Sequence, residues 1–159
     1  MSEDLTTPST EEVQVTRLDP VKRAIAFIID AVIAYVPSFI PVIGGIIGAA
    51  YMLLRDALPV EALDFKSVGK KVMNLRVELE SDPAAKIDYA ISAKRNWMFA
   101  MGPIISVFMV IPILGWIVAI VLGLATFVIG IIEIIKVFSE PNGKRIGDNI
   151  AGTIVKEVS

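Results

Sequence analysis

The 159-residue chain contains no cysteine and no histidine. Their absence removes disulfides, thiol chemistry and the usual zinc and haem ligand sets, and leaves the redox compartment unreadable. A nucleophile with an adjacent base is also missing, as is a phosphate loop, since Gly69-Lys70-Lys71 lacks the required glycine spacing. No enzyme activity and no cofactor are therefore expected. Charge is scarce in a patterned way: no charged residue occurs from Ala31 to Leu54 or from Asn96 to Ile132. Hydrophobic residues make up 55% of the chain and mean hydropathy is +0.69, above the roughly 45–50% apolar content of soluble domains. The net charge of -2 describes no single surface, because acids and bases crowd together into the same segments, and no nucleic-acid partner is expected.

Residues 1–20 are rich in Ser, Thr and acids and lack the basic start and apolar core of a signal peptide. They read as a disordered tail. About 20 apolar residues cross a bilayer core about 30 Å thick, so the second charge-free run is long enough for two spans with a turn at Ile111-Pro112-Ile113-Leu114-Gly115. The first run divides similarly at Pro37-Ser38-Phe39-Ile40-Pro41. The expected architecture is an all-α integral membrane protein, a four-transmembrane-helix bundle with spans at about 22–36, 42–58, 93–111 and 115–137. Residues 59–92 form a central cytoplasmic segment and 138–159 a cytoplasmic tail. All 15 Lys and Arg residues lie in the tails, the central segment and the adjoining span ends, and neither short turn carries any. Positive charge is retained in the cytoplasm, which predicts cytoplasmic termini and a multi-pass protein.

Leu75-Arg76-Val77-Glu78-Leu79-Glu80 alternates with the period of a half-buried strand, and Thr153 to Val158 is its candidate partner in a small cytoplasmic β-ribbon. Between Val68 and Leu75 the pattern fits either a short interfacial helix or a solvated loop.

Asp30 is the strongest single signal. It follows Arg23 by two helical turns, on one face of the first span. A carboxylate at that depth costs a few kcal/mol and must face protein or a water-filled cavity. Two readings are open: a buried pair with Arg23 or another base that locks the bundle, and a proton or cation site. Glu133, within a stripe of Gly123, Thr126 and Gly130, either pairs with Lys136 or is a second buried acid. Arg55 and Asp56 close the second span and are expected to form ion pairs. Ala26 and Ala34 flank Asp30, Gly44 and Gly48 lie four apart in span two, and Gly102 and Ser106 repeat that spacing in span three, which suits close helix packing.

This arrangement resembles the RDD family of bacterial membrane proteins, named for one arginine and two aspartates. The resemblance runs from about 21 to 158. It rests on Lys22-Arg23 with Asp30, on Ser67-Val68-Gly69-Lys70-Lys71 with Leu75-Arg76-Val77, on Lys94-Arg95-Asn96, and on Lys144-Arg145-Ile146-Gly147-Asp148 with Ala151-Gly152-Thr153-Ile154-Val155. The resemblance assigns the named residues to Arg23, Asp30 and Asp148, with Asp56 competing for the last place. Two departures stand out: Ser67 where threonine is usual, and Gly147 where a bulkier residue, often histidine, precedes the aspartate. The resemblance implies residence in a bacterial inner (plasma) membrane and a transport role, with cation/proton exchange in some members. Four short helices are few for alternating access, so a homo-oligomer or partner membrane protein is expected beside a monovalent cation. The alternative is a non-transporting scaffold or accessory subunit that binds a protein or anionic lipid at the cytoplasmic face, a reading that Asp82 and Asp88 weaken. The folded-back tail also predicts a pairing of Arg23 with Asp148.

Overall fold

The computed structural model describes residues 18–40 and 43–158; the expected disordered tail falls almost wholly outside them. Helix α1 spans Pro20–Tyr35 and α2 spans Ile43–Leu54. Asp19 caps α1 by accepting from the Val21 amide at 2.8 Å, and Pro20, which has no amide hydrogen to satisfy, occupies the first turn. A 3-10 turn over Val36–Phe39 leads out of α1. The two helices pack together where Gly48 faces Ala34, a contact so close that a Cβ on Gly48 would meet the Ala34 carbonyl.

After α2 the chain forms α3 (Val68–Val72), β1 (Leu75–Leu79) and α4 (Tyr89–Arg95), then a 3-10 turn over Trp97–Ala100 and α5 (Met101–Phe108). A long helix α6 (Leu114–Ser139) follows, then α7 (Ile146–Ala151) and β2 (Thr153–Glu157). The expected ribbon is present: β1 and β2 run antiparallel with Val77 opposite Val155. Leu75, Val77 and Val155 turn inward and join Leu18 and Ala26 in a small core, so the ribbon gains from α1 the apolar support that two strands alone lack.

Two expectations change and one open reading is settled. Residues 93–111 are not one helix. Asn96 departs from helical geometry, and Pro103 lacks the amide hydrogen and would crowd the Phe99 carbonyl in a continuous helix. Of the two readings for Val68 to Leu75 the short helix is present and the solvated loop is not: α3 docks on α1, with Gly69 against the Ala26 backbone. Among the described residues the glycines of the α6 stripe are unused for packing, since Gly123 and Gly130 have open space where a Cβ would stand. Gly102 is similarly open, and Ser106 donates back to its carbonyl at 3.0 Å.

Helix α6 is 26 residues long and strongly apolar, and only 11% of its most apolar window is buried. A core helix of a soluble protein would be covered. Val110, Phe39, Ile113 and Phe127 are likewise at least 66% exposed, an apolar surface that water would not tolerate over such an extent. At 1.5 Å per residue the twelve-residue α2 covers only about 18 Å, short of a full bilayer core.

Candidate functional site

Nine ionisable side chains meet where the start of α1, the end of α2, α3, the end of α4, the last third of α6 and α7 converge. Asp148 lies at the centre of one half. It is fully buried and sits in the first turn of α7, where it accepts from the Arg145 amide at 2.9 Å. Arg23 donates to it and also to the Gly143 carbonyl at 2.6 Å. Arg95 lies 3.2 Å and Arg145 3.4 Å from its other oxygen. Burial opposes its charge, but Arg95, Arg145 and Arg23 outweigh that and hold it far below the usual carboxylate range. Arg145 is raised above its ordinary value, because Asp148 and Glu133 together overcome the effect of burial.

Asp56 lies at the centre of the other half. Lys70 donates to it, the Arg95 Nε stands 3.1 Å away, and Asn96 donates its side-chain amide at 3.0 Å. Ser92 holds the loop in place, accepting from the Asp56 amide at 3.3 Å and donating to the Leu53 carbonyl at 3.0 Å. Arg95 thus bridges the two halves, and its own backbone is packed so tightly against Gly147 that no Cβ fits there. This contact gives a physical reason for glycine before Asp148, where the family resemblance led to a bulkier residue.

Asp30 does not pair with Arg23, seven residues earlier. Its carboxylate accepts from the Tyr51 hydroxyl at 3.0 Å, the Gly69 amide at 2.8 Å and Arg55 at 3.2 Å. Arg55 is itself flanked by the Phe27 and Phe99 rings, 5.5 and 5.4 Å from their centroids. Glu133 is buried but does not pair with Lys136, which turns to Glu140. It accepts from the Gly147 amide at 3.0 Å and faces Arg145 at 3.8 Å. Arg23, Asp148, Glu133 and Asp56 are therefore joined in one network of ion pairs, and Asp30 and Arg55 form a separate pair beside it. Arg95, Lys70 and Arg145 complete the network without having been singled out as site residues. Their signal in the sequence was their place in the clusters Ser67 to Lys71, Lys94 to Asn96 and Lys144 to Asp148 that carry the family resemblance.

Lys70 makes a testable point about this network. Burial pushes its ammonium down from 10.5 to about 7, opposed by Asp56 and Asp30 and aided by Arg55 and Arg95. The unfolded chain holds this proton to about pH 10.5, whereas the folded chain releases it near 7. Between those limits the unfolded state binds more protons, so Lys70 makes stability rise with pH. Thermal unfolding in detergent between pH 7 and 10 is expected to show that rise in the wild type and a flatter profile in Lys70→Met. Parallel profiles would refute it.

A cavity of about 400 Å³ opens beside the network, lined by Arg23, Arg55, Lys70, Arg95 and Arg145 but by only two acids, Asp30 and Glu133. Its outer wall is apolar. Such a buried ionic cluster beneath an exposed apolar bundle belongs to a membrane protein rather than to a soluble one. The profile of the RDD family matches residues 42–152, and the chain is a member of that family. The matched stretch contains Asp56, Arg95 and Asp148; Arg23 and Asp30 precede it and join the site through the geometry above. No curated relative and no solved structure matches the chain.

Proposed function

We propose that the protein is a non-transporting scaffold or accessory subunit of a bacterial inner membrane, crossing it four times with both termini and the central segment on the cytoplasmic side. The distribution of Lys and Arg supports this orientation. The observation that carries the function is the state of Asp30. Both of its oxygens are taken by donors from the chain itself, namely Tyr51, Gly69 and Arg55, so a cation would have to displace an arginine to reach it. Asp56 and Asp148 are spent in the same way. The network thus pins the cytoplasmic segment and tail to the helix bundle and builds one rigid face for a ligand or partner. The rival reading, cation/proton exchange, draws on Asp30 and Glu133 lining a common cavity.

Sealed proteoliposomes loaded with a pH-sensitive dye separate the two. Sodium, lithium or potassium gradients are expected to drive no proton flux. Flux that is present in the wild type and absent in a folded Asp30→Asn variant would overturn the scaffold reading in favour of exchange.

A further inference from the structure

A second cavity, of about 420 Å³, lies in the central segment and shares no lining residue with the first. It is bounded by the loop after α2, by β1 and by the loop leading to α4, and Lys66, Arg76 and Lys86 line it. Three other lysines of this segment and the tail are closely paired, Lys71 with Asp64, Lys144 with Glu80 and Lys156 with Glu78. The bases of the cavity are not. Only 15% of the Lys66 side chain is exposed, yet its ion pair to Asp64 is long at 3.9 Å, and that carboxylate already accepts from Lys71. Arg76 stands opposite Lys156 in the ribbon and, among the described residues, has no ion pair. Lys86 lies over the Phe65 ring, 4.4 Å from its centroid.

Three acids, Asp56, Glu61 and Asp64, also reach the lining. Asp56 is committed to Lys70 and Arg95, and Asp64 to Lys71. Glu61 is left against three bases, an excess of two positive charges that does not draw on Lys70. A phosphate monoester carries about two negative charges near pH 7, whereas a carboxylate carries one, and a guanidinium fork matches phosphate oxygens.

The rest of the cavity suits a planar apolar body. Asp64 and Phe65 both hold left-handed backbone angles, φ 50 and 56, which a bulky side chain rarely adopts and which mark stored strain. That backbone leaves the Phe65 ring 39% exposed beside a floor of Val77, Ala85 and Ile87. A ring available for stacking above an apolar floor favours a flat ligand. The volume, about 420 Å³, is near the lower end of the roughly 300–1,000 Å³ of small-ligand sites, which fits one nucleotide better than two.

We propose that this cavity is a binding site for a nucleoside monophosphate, with the phosphate held by Lys66, Arg76 and Lys86 and the base resting on Phe65 and the apolar floor. Lys86 covers the Phe65 ring in the free protein. A cation–π contact at an exposed site is weak, so Lys86 moves to the phosphate as the base takes the ring. The proposal goes beyond the scaffold reading and shares with it only the cytoplasmic placement of residues 59–92, where such a ligand is met.

The full chain in detergent is titrated calorimetrically with adenosine monophosphate, adenosine and inorganic phosphate. Adenosine monophosphate is expected to saturate one site and to bind at least about tenfold more tightly than either fragment. Arg76→Gln and Lys66→Gln each remove one charged donor and are expected to weaken it about tenfold with an unchanged melting temperature. The two variants are read separately, so a loss of fold in one leaves the other to decide. Lys94 is exposed and outside the cavity lining, and Lys94→Gln is expected to bind as the wild type does. No saturable binding of adenosine monophosphate overturns the proposal, as does either fragment binding as tightly. Wild-type affinity in a folded cavity variant, or an equal loss in Lys94→Gln, overturns it too, since the attraction would then be diffuse. These titrations involve no ion gradient, so failure here is distinguishable from failure of the scaffold reading.

Discussion

Asp148→Asn is expected to lower unfolding stability by about 3–5 kcal/mol, because the change keeps the shape and removes the charge on which three arginines depend. Arg23, Arg95 and Arg145 all reach this carboxylate inside the protein. Without it Arg23 is left buried with no carboxylate partner among the described residues, and Arg95 and Arg145 keep only Asp56 and Glu133, a worse state than an apolar core of the same volume. The asparagine oxygen can still accept from the Arg145 amide, so the start of α7 survives and the loss reports on charge rather than on capping. Tryptophan fluorescence during denaturant titration in detergent measures the effect. Adding Arg23→Met to Asp148→Asn is expected to cost much less than the sum of the two changes, since the second removes a cation that the first has already stranded. Additive losses would mean that Arg23 and Asp148 contribute independently, and a loss below about 1 kcal/mol would place the pair among ion pairs open to water.

How far this network could be foreseen depends on which physical signal each part sends along the chain. The apolar runs and the alternation in β1 and β2 are local patterns, and the helices and the ribbon follow from them. Distances within one element are also local, which is why Asp30 invites pairing with Arg23 on the same face of α1. Its actual partners, Arg55 and Tyr51, lie on α2 and just beyond it, and that choice depends on how far the two helices slide along one another. The slide is set by Gly48 seated on Ala34 and Gly69 on Ala26, contacts that glycine and alanine spacing suggests but does not pair. Glu133 illustrates the same limit. Lys136 is its neighbour by helical spacing, yet the Gly147 amide and Arg145 come from a tail that folds back after Ser139. The broken third segment is a matter of competing local effects: uncharged residues from Asn96 onward favour a long span, while Pro103 and the use of the Asn96 side chain by Asp56 interrupt it.

Arg95 is the position where charge and geometry can be separated most cleanly. Its guanidinium faces Asp56 through Nε and Asp148 through Nη2, at 3.1 and 3.2 Å, so a planar fork offers each carboxylate its own nitrogen where a lysine would offer a single one to both. Arg95→Met leaves Asp56 with Lys70 and Asn96, and Asp148 with Arg23 and Arg145, each short of one cation in a buried setting; the expected cost is again about 3–5 kcal/mol. Arg95→Lys restores the charge without the fork and is expected to recover less than half of that loss. A lysine variant as stable as the wild type would show that the total charge of the cluster is what matters and that the bridge between α4, α7 and the end of α2 contributes little. The expected outcome instead ties the two halves of the network together. The bundle end and the folded-back tail would then unfold in one transition, whereas in Arg95→Met the tail, with β2 and α7, would open before the helices and expose Val155 to exchange while amides in α1 stay protected.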